Sequence, residues 1–498
     1  MSEPKKENEP EKVSRRNYLQ LAGGTIAGLV VGGALGYLAK PTVMAPAETV
    51  TSTVTQALTS TVTASVQPTA VATNTATGAA AAAINWRQFA GSEITVGWQE
   101  NSAADVLGQM VGDFQTLTGI KVNFDAMPST GMRDKIELDL STGTQIYDAA
   151  WVNFPEPGWY KNGWLTPLSQ FVQDTSLTDD AYFKYEGYPK GFIDPDTING
   201  AGPYAIPYMG EVHLLIYRKD VFEQNNVTVP TTVDELVDTA AKLKTSDMYG
   251  IVLRGLKGWN ELEYIWLGLL AGQGGEILDD KFVPQLNSSA AINAADIYCN
   301  KLLRQSGPPG AATMDHMACA QAFAAGKAAM FIDSNYFPSM FEDPSLSQVV
   351  GKEASAPDLP DGWVSNMWFA GPGIPAKSKN PKAAWLFIEW SNSPDIEWKV
   401  LQAAPFANVA RTQFFTDPAM RPAFQAAQKL PDDWFVATAN VAAKARSLAP
   451  MVPEYTDIAD IISLALNDVM GGKDAAAAMG DANSKVYDLM NKAGYYKS

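Results

Sequence analysis

Aromatic rings, carboxylates and side-chain amides recur together at the ends of apolar runs in this sequence. Trp98, Gln99, Glu100 and Asn101 close the run 94–98. Asp148 and Asn153 flank Trp151 in the run 147–153, with Glu156 and Trp159 just beyond. Trp259 and Glu261 open the apolar stretch 261–273, and Asp333, Asn335 and Tyr336 follow a run ending at Ile332. A flat ring covering about 60 Å² of an apolar face contributes about 1.5 kcal/mol, at about 25 cal/mol per Å². A hydrogen bond to a carboxylate adds about 1.5–3 kcal/mol. Two or three such rings with a few such bonds are enough for micromolar capture of a polar molecule that has a flat face.

The inventory for catalysis is thin. The chain has two histidines, His213 and His316, and two cysteines, Cys299 and Cys319, too few for a thiolate cluster or a disulfide framework. His213 lies in an apolar strand and reads as a packed side chain. His316 opens a helix and reads as a surface residue. No zincin pattern, P-loop, dinucleotide fingerprint or nucleophile elbow occurs, so no cofactor, metal or enzymatic role is expected. Two carboxylates for glycoside hydrolysis can lie far apart in sequence, which keeps a secreted polysaccharide-active enzyme as an alternative. Cys299 and Cys319 fall on consecutive predicted helices, where either a disulfide or two small buried thiols would fit. The net charge of −17 repels phosphate backbones, so nucleic-acid binding is not expected. Basic residues are scarce near the candidate residues, which argues against an anionic solute.

These side chains need a scaffold. With 498 residues, 46% hydrophobic and 18% charged, the chain can build a sizeable core in two or three globular units, and global disorder is excluded. Strands are predicted at 94–98, 120–124, 147–153 and 249–253, and helices at 103–118, 132–140, 261–273 and 382–390. Thr232 to Glu235 read as a capping box opening a helix to residue 244. This strand–helix rhythm predicts an α/β fold with parallel pairing and helices on both faces of the sheets. The last third is mainly helical. Trp151, Trp385 and Trp390 read as packing residues.

Ahead of this body stands different material. Ser14-Arg15-Arg16-Asn17-Tyr18-Leu19-Gln20 before a glycine-rich uncharged stretch resembles a twin-arginine export signal. Ala45-Pro46-Ala47 offers a cleavage site, and an uncleaved membrane anchor is the other reading of residues 1–47. Both put the body outside the cytoplasmic membrane, extracellular or on the cell surface, with membrane contact only through this segment. Residues 48–91 begin Ser/Thr-rich and almost uncharged, the composition of an extended stalk, compatible with O-glycosylation. Asn226-Val227-Thr228 and Asn287-Ser288-Ser289 fit the N-glycosylation pattern.

Three stretches carry a family resemblance. They are Pro203-Tyr204-Ala205-Ile206-Pro207-Tyr208 through Tyr217-Arg218-Lys219-Asp220-Val221-Phe222, Gln321-Ala322-Phe323 through Gly326-Lys327 to Phe331-Ile332-Asp333, and Gly371-Pro372-Gly373-Ile374-Pro375 through Asn380-Pro381 to Trp385. In this order they resemble extracellular solute-binding proteins of ABC importers, the carbohydrate-binding family that includes maltose-binding protein. The resemblance covers roughly residues 92–495. It implies a two-lobed, periplasmic-binding-protein type II-like clamp: lobe 1 from 92–206 and 366–405, lobe 2 from 207–365 and 406–498, joined by a hinge. It also implies a monomer that captures a sugar or oligosaccharide between the lobes and offers it to ABC permease subunits. Tyr208 and Glu211 follow the family's crossover proline, and Glu211 falls where the family places a glutamate for sugar hydroxyls. Tyr336 falls where it stacks an aromatic ring, and Arg411 near a loop arginine. Trp98 joins Glu211 and Tyr336 as the positions where strand-end placement and family position agree. Ser365-Asn366-Met367-Trp368 departs from the paired glycines common in relatives and leaves a contact by Trp368 open. A polyol or oligopeptide is the alternative solute, and a structural surface protein the third class.

Overall fold

The computed structural model describes residues 84–154, 156–193, 201–404 and 406–496. The signal or anchor, and the stalk as far as residue 83, lie outside them. Residues 84–91, expected to end the stalk, belong to the folded body. Ile84 is buried, Trp86 meets Tyr182 edge-on at 5.2 Å, and the Arg87 guanidinium donates to the Thr116 carbonyl.

Eight strands follow: β1 Glu93–Gln99, β2 Lys121–Met127, β3 Ala149–Asn153, β4 Leu165–Thr166, β5 Met209–Arg218, β6 Met330–Ser334, β7 Glu353–Ser355 and β8 Met367–Pro375. Their order is β2-β1-β3-β8-β5-β6, with β4 on β8 and β7 on β5. β1 pairs in parallel with β2 and β3, as a strand–helix–strand rhythm requires. The helix Ser102–Thr118 makes the first crossover. Asn101 caps it by accepting from the Ala104 N–H, Leu107, Val111 and Phe114 face the core, and Gly119 at φ 73° ends it. The helix Ser129–Thr142 makes the second.

β8 runs antiparallel to both of its neighbours. Its residues Ala370 to Gly373 pair with β3, and Met367 to Ala370 pair with the start of β5. The rest of β5 pairs with β6 and β7. β5 and β8 therefore run from one strand group into the other, and they are buried along nearly their whole length. The body is the expected two-group α/β arrangement flanked by helices. Among the described residues no strand follows β8, and the last two helices, Tyr455–Met470 and Ala475–Ala493, pack on each other.

Some local expectations shift. Residues 249–253 touch the β6 region through isolated bridges at Tyr249 and Val252 without forming a strand. At the helix Val233–Leu243, Thr232 Oγ1 accepts from the Glu235 N–H, while the Glu235 carboxylate accepts from Thr231 N at 2.8 Å. Cys299 and Cys319 are both buried free thiols, so the disulfide alternative drops out. Asn226 and Asn287 are exposed. Among the described residues no helix is long and apolar enough to cross a membrane.

Candidate functional site

A cavity of about 590 Å³ opens where β5 and β8 cross between the strand groups. Its floor follows from register. Asn153 lies opposite Ala370, Ala370 opposite Met209, and Trp368 opposite Glu211. Directly opposed residues, and residues two apart on one strand, share a face of the sheet. Asn153, Met209, Glu211 and Trp368 therefore project to one side, and all four line the cavity, with small Ala370 between them.

The first strand group supplies one wall, where β1 ends at Gln99 and its following helix begins at Asn101 and Ser102. Met132 and Arg133 join them from the helix Ser129–Thr142. The opposite wall carries Trp259, Asn260 and Glu261 ahead of the helix Leu262–Gly272, His316 and Met317 at the start of the helix His316–Ala324, and Ser334, Tyr336 and Phe337 at the β6 exit. Phe406 and Asn408 complete the lining. The loop holding Trp259 is fixed from two sides. The Glu263 carboxylate accepts from Asn260 N at 2.8 Å and Glu261 N at 3.3 Å, and Arg254 Nη1 donates to the Asn260 carbonyl at 2.9 Å.

The charges are largely spent on one another. Arg254 forks onto Asp333 at 2.8 and 2.5 Å. Burial alone would raise the Asp333 carboxyl, but Arg254 outweighs it and holds the group below the usual carboxylate range. Arg133 forks onto Glu156, both bonds 2.8 Å, and reaches Glu137 at 2.7 Å. Its guanidinium lies 5.6 Å from the Trp159 ring and 5.6 Å from the Trp259 ring, joining the two walls. Glu261 meets His316 Nδ1 at 3.0 Å. Burial pulls that imidazole's pKa down, yet the bond to Glu261 leaves it raised. Glu211 accepts from Tyr264 Oη at 3.2 Å, and burial pushes its carboxyl up.

Seven of the thirteen expected residues line the cavity: Asn101, Asn153, Glu211, Trp259, Glu261, Tyr336 and Trp368, every one half-buried. The structure places the other six elsewhere. Trp98 is fully enclosed, 4.9 Å from Trp151 and 5.1 Å from Tyr208, and those three rings form the core behind the cavity. Tyr208 is buried with them. Asp333 lies beneath the wall, occupied by Arg254. Asp148 sits before β3, away from its carboxyl end, and binds Thr95 N, Ser378 Oγ and Asn380 N. Glu100 is exposed outside the lining. Arg411 is buried in the body, donating to the carbonyls of Phe183, Lys184 and Asn392, with its guanidinium 3.8 Å from the Tyr188 ring.

Sequence reasoning missed Arg133, Arg254 and Asn408 and left His316 as a surface residue. The expectation of few basic residues near the cleft is thus corrected. Arg133 lies inside a helix, where a search of strand ends does not look, whereas Arg254 directly follows the run 249–253 predicted as a strand and was passed over there. Asn408 follows no predicted strand, so the same search gives no signal for it. His213 is packed as expected: fully buried, edge-on to Tyr264 at 4.9 Å, its pKa lowered by burial to about 3.

Residues 97–398 match the family described as bacterial extracellular solute-binding protein. The chain is 28% identical over 392 residues to a mannitol-binding protein of Pseudomonas aeruginosa, covering 74% of this chain and 85% of that protein. It is 24% identical over 421 residues to an erythritol/L-threitol-binding protein of Mycolicibacterium smegmatis, covering 79% and 85%. Among solved structures it resembles an ABC transporter solute-binding protein of Agrobacterium radiobacter K84 in complex with ribitol, with TM-score 0.69, 27% identity, and coverage of 80% of this chain and 99% of that one.

Proposed function

This chain belongs to the bacterial extracellular solute-binding proteins, and from that premise we propose that it captures an uncharged polyol or sugar and delivers it to an ABC permease. One observation carries the choice of solute. Both guanidinium groups that reach the cavity are engaged by carboxylates, Arg254 by Asp333 and Arg133 by Glu156. An anion would have to break a buried pair to be bound, at a cost of several kcal/mol. Glu261 and His316 are paired with each other in the lining, and what else faces the space is amides, hydroxyls, the Glu211 carboxylate, apolar Met and Phe side chains and the rings of Trp259, Tyr336 and Trp368. That set suits hydroxyl groups on an apolar carbon frame. The relatives named above bind mannitol, erythritol or L-threitol, and ribitol, which favours a polyol over the oligosaccharide of the sequence reading. The cavity volume suits a small ligand.

In this reading lobe 1 is 92–206 with 366–405, extended by 84–91, and lobe 2 is 207–365 with 406–498. They close over the solute by bending at the crossing strands. The chain acts as a monomer outside the cytoplasmic membrane, exported by the twin-arginine segment and held by the stalk. The test is titration calorimetry of the purified body with ribitol, mannitol, erythritol, glucose and maltose, beside glutamate and a tripeptide. Micromolar binding of a neutral polyol or sugar is expected. Binding of only the charged or peptidic ligands overturns the proposal, and reducing-sugar release from a polysaccharide would replace capture with hydrolysis.

A further inference from the structure

One cation joins the two walls of the cavity where their elements share no strand pairing. Arg133 stands on the helix Ser129–Thr142, between β2 and β3 of the first strand group. Trp259 stands in the loop that follows residues 249–253, which bridge to the β6 region of the other group. The guanidinium lies 5.6 Å from the centre of the Trp259 ring, and both residues line the cavity. A cation within about 6 Å of an indole face is attracted by the ring's quadrupole, more strongly where water is displaced.

Each half of this contact is fixed on its own wall. Carboxylates hold all three nitrogens of the guanidinium, Nε and Nη2 on Glu156 at 2.8 Å and Nη1 on Glu137 at 2.7 Å. Glu137 in turn accepts from Trp159 Nε1 at 3.3 Å, and the buried Trp159 ring lies 5.6 Å from the guanidinium. The edge of the guanidinium is thus taken up by the first wall, and its face is left for the second. The Trp259 loop is tied down as firmly. The Glu263 carboxylate accepts from Asn260 N and Glu261 N, and Gly258 N donates at 2.8 Å to Ser463 Oγ in the helix Tyr455–Met470. Two surfaces already ordered lose little freedom when they meet, so their attraction goes into the balance between wall positions.

We propose that Arg133 and Trp259 form a latch between the walls: the guanidinium seats on the indole as the walls come together over a solute and resists their parting. Arg133 is then a positioning residue, which acts on solute retention through Trp259 and the separation of the walls. This inference rests on the capture and closure argued above and adds the pair of residues that sets the balance between open and closed forms.

The test uses W259L, which removes the indole face and leaves the carboxylate pairs of Arg133 in place, and R133M/E156Q, which removes the cation together with its buried partner so that no charge is left alone. Spin labels on D113C and K242C, exposed positions of the helices Ser102–Thr118 and Val233–Leu243, report the separation of the strand groups. Cys299 and Cys319 are buried and do not compete for the label. Pulsed electron resonance without solute, calorimetry with ribitol and mannitol, and melting temperatures are measured on the wild type, both variants and the triple substitution. The latch requires each variant to bind the polyol roughly three- to thirtyfold more weakly, and the triple substitution no more weakly than W259L. It also requires the solute-free label separation to lengthen in both variants, which residues that merely touch the solute would not cause. Losses that add, or a separation that neither variant moves, overturn the latch and leave the capture reading standing. A wild type that binds no polyol or sugar overturns the capture reading, while the solute-free separations still decide the latch. If R133M/E156Q melts lower than the wild type, the separation in W259L decides.

Discussion

At the scale of single residues, the Arg254–Asp333 pair organises the wall of the site without touching the space itself through its carboxylate. Asp333 is fully enclosed at the end of β6, and Arg254 passes its grip on to the Asn260 carbonyl and so to Trp259 and Glu261. Asp333→Asn leaves a buried guanidinium with half its partner. The expected loss is about 3–5 kcal/mol of stability in chemical denaturation, together with weaker polyol binding. A change below about 1 kcal/mol, the size of a solvated surface pair, would contradict that burial. Trp98 shows what residue types alone conceal. It shares strand parity with Ile94 and Val96, all three fully buried, and the chain reaches the cavity only one residue later, at Gln99. Parity was readable in the sequence, whereas a ring near a strand end looked like a binding platform. Arg411 and Asp148 were beyond such reading, because their partners, Phe183 and Ser378 among them, come from segments far along the chain. Trp259 and Tyr336 line the cavity from a loop and a strand exit, where side chains escape packing, and Glu211, third in β5, was marked by its family position after the crossover proline.

At the scale of elements, two periodic helices were read to within a residue, 103–118 against Ser102–Thr118 and 261–273 against Leu262–Gly272, while 132–140 began three residues late against Ser129–Thr142. Their apolar spacing and caps are local signals. The position of β8 between β3 and β5 was not legible, because antiparallel partners from distant segments leave no mark in either segment. Residues 249–253 show the same limit from the other side: apolar enough for a strand, they meet the β6 region at two isolated bridges only. The crossing itself depends on a close approach. The segment 205–208 lies along β8, with Ile206 N donating to Pro372 O at 3.0 Å and Tyr208 N to Ala370 O at 2.9 Å. A Cβ at Gly371 would run into the Ile206 carbonyl oxygen and sit 2.8 Å from Tyr208 N. Gly371→Ala should therefore lift that segment from β8 and lower stability by about 1–3 kcal/mol or more. Polyol affinity should fall with it, since Trp368 and Glu211 depend on the same crossing. Thermal melting and calorimetry on the one variant check both, and an unshifted melting temperature would mean the backbones are not in contact there.

At the scale of the whole molecule, an acidic chain of net charge −17 also encloses several carboxyl groups. Burial pushes Glu263, Glu389 and Glu397 from an ordinary value near 4.5 up to about 8. For Glu263 and Glu389, backbone N–H donors pull only partly back, and for Glu397 the same is true of Arg411 and Tyr188. Each group binds its proton more tightly folded than unfolded. The stability it contributes is fully present below about pH 4.5 and is lost as pH rises through about 8. Asp333 works in the opposite sense, its carboxyl held down by Arg254, so its contribution is present above the ordinary aspartate value and lost only in stronger acid. Between these limits the buried glutamates dominate, and mutual repulsion of the ionised surface adds to the decline at high pH. The melting temperature should be highest near pH 5 and lower at pH 8.5 by roughly 5 °C or more, since each kcal/mol moves it by about 2 °C in a chain this long. Differential scanning calorimetry from pH 4 to 9 at fixed ionic strength measures the slope. In Glu389→Gln, which keeps an acceptor for the Asp179 N–H that now binds Oε1, the slope should flatten, because one titrating group is gone. A melting temperature that rises steadily from pH 5 to 8.5 would show that these carboxyls are already ionised and stabilised in the folded chain.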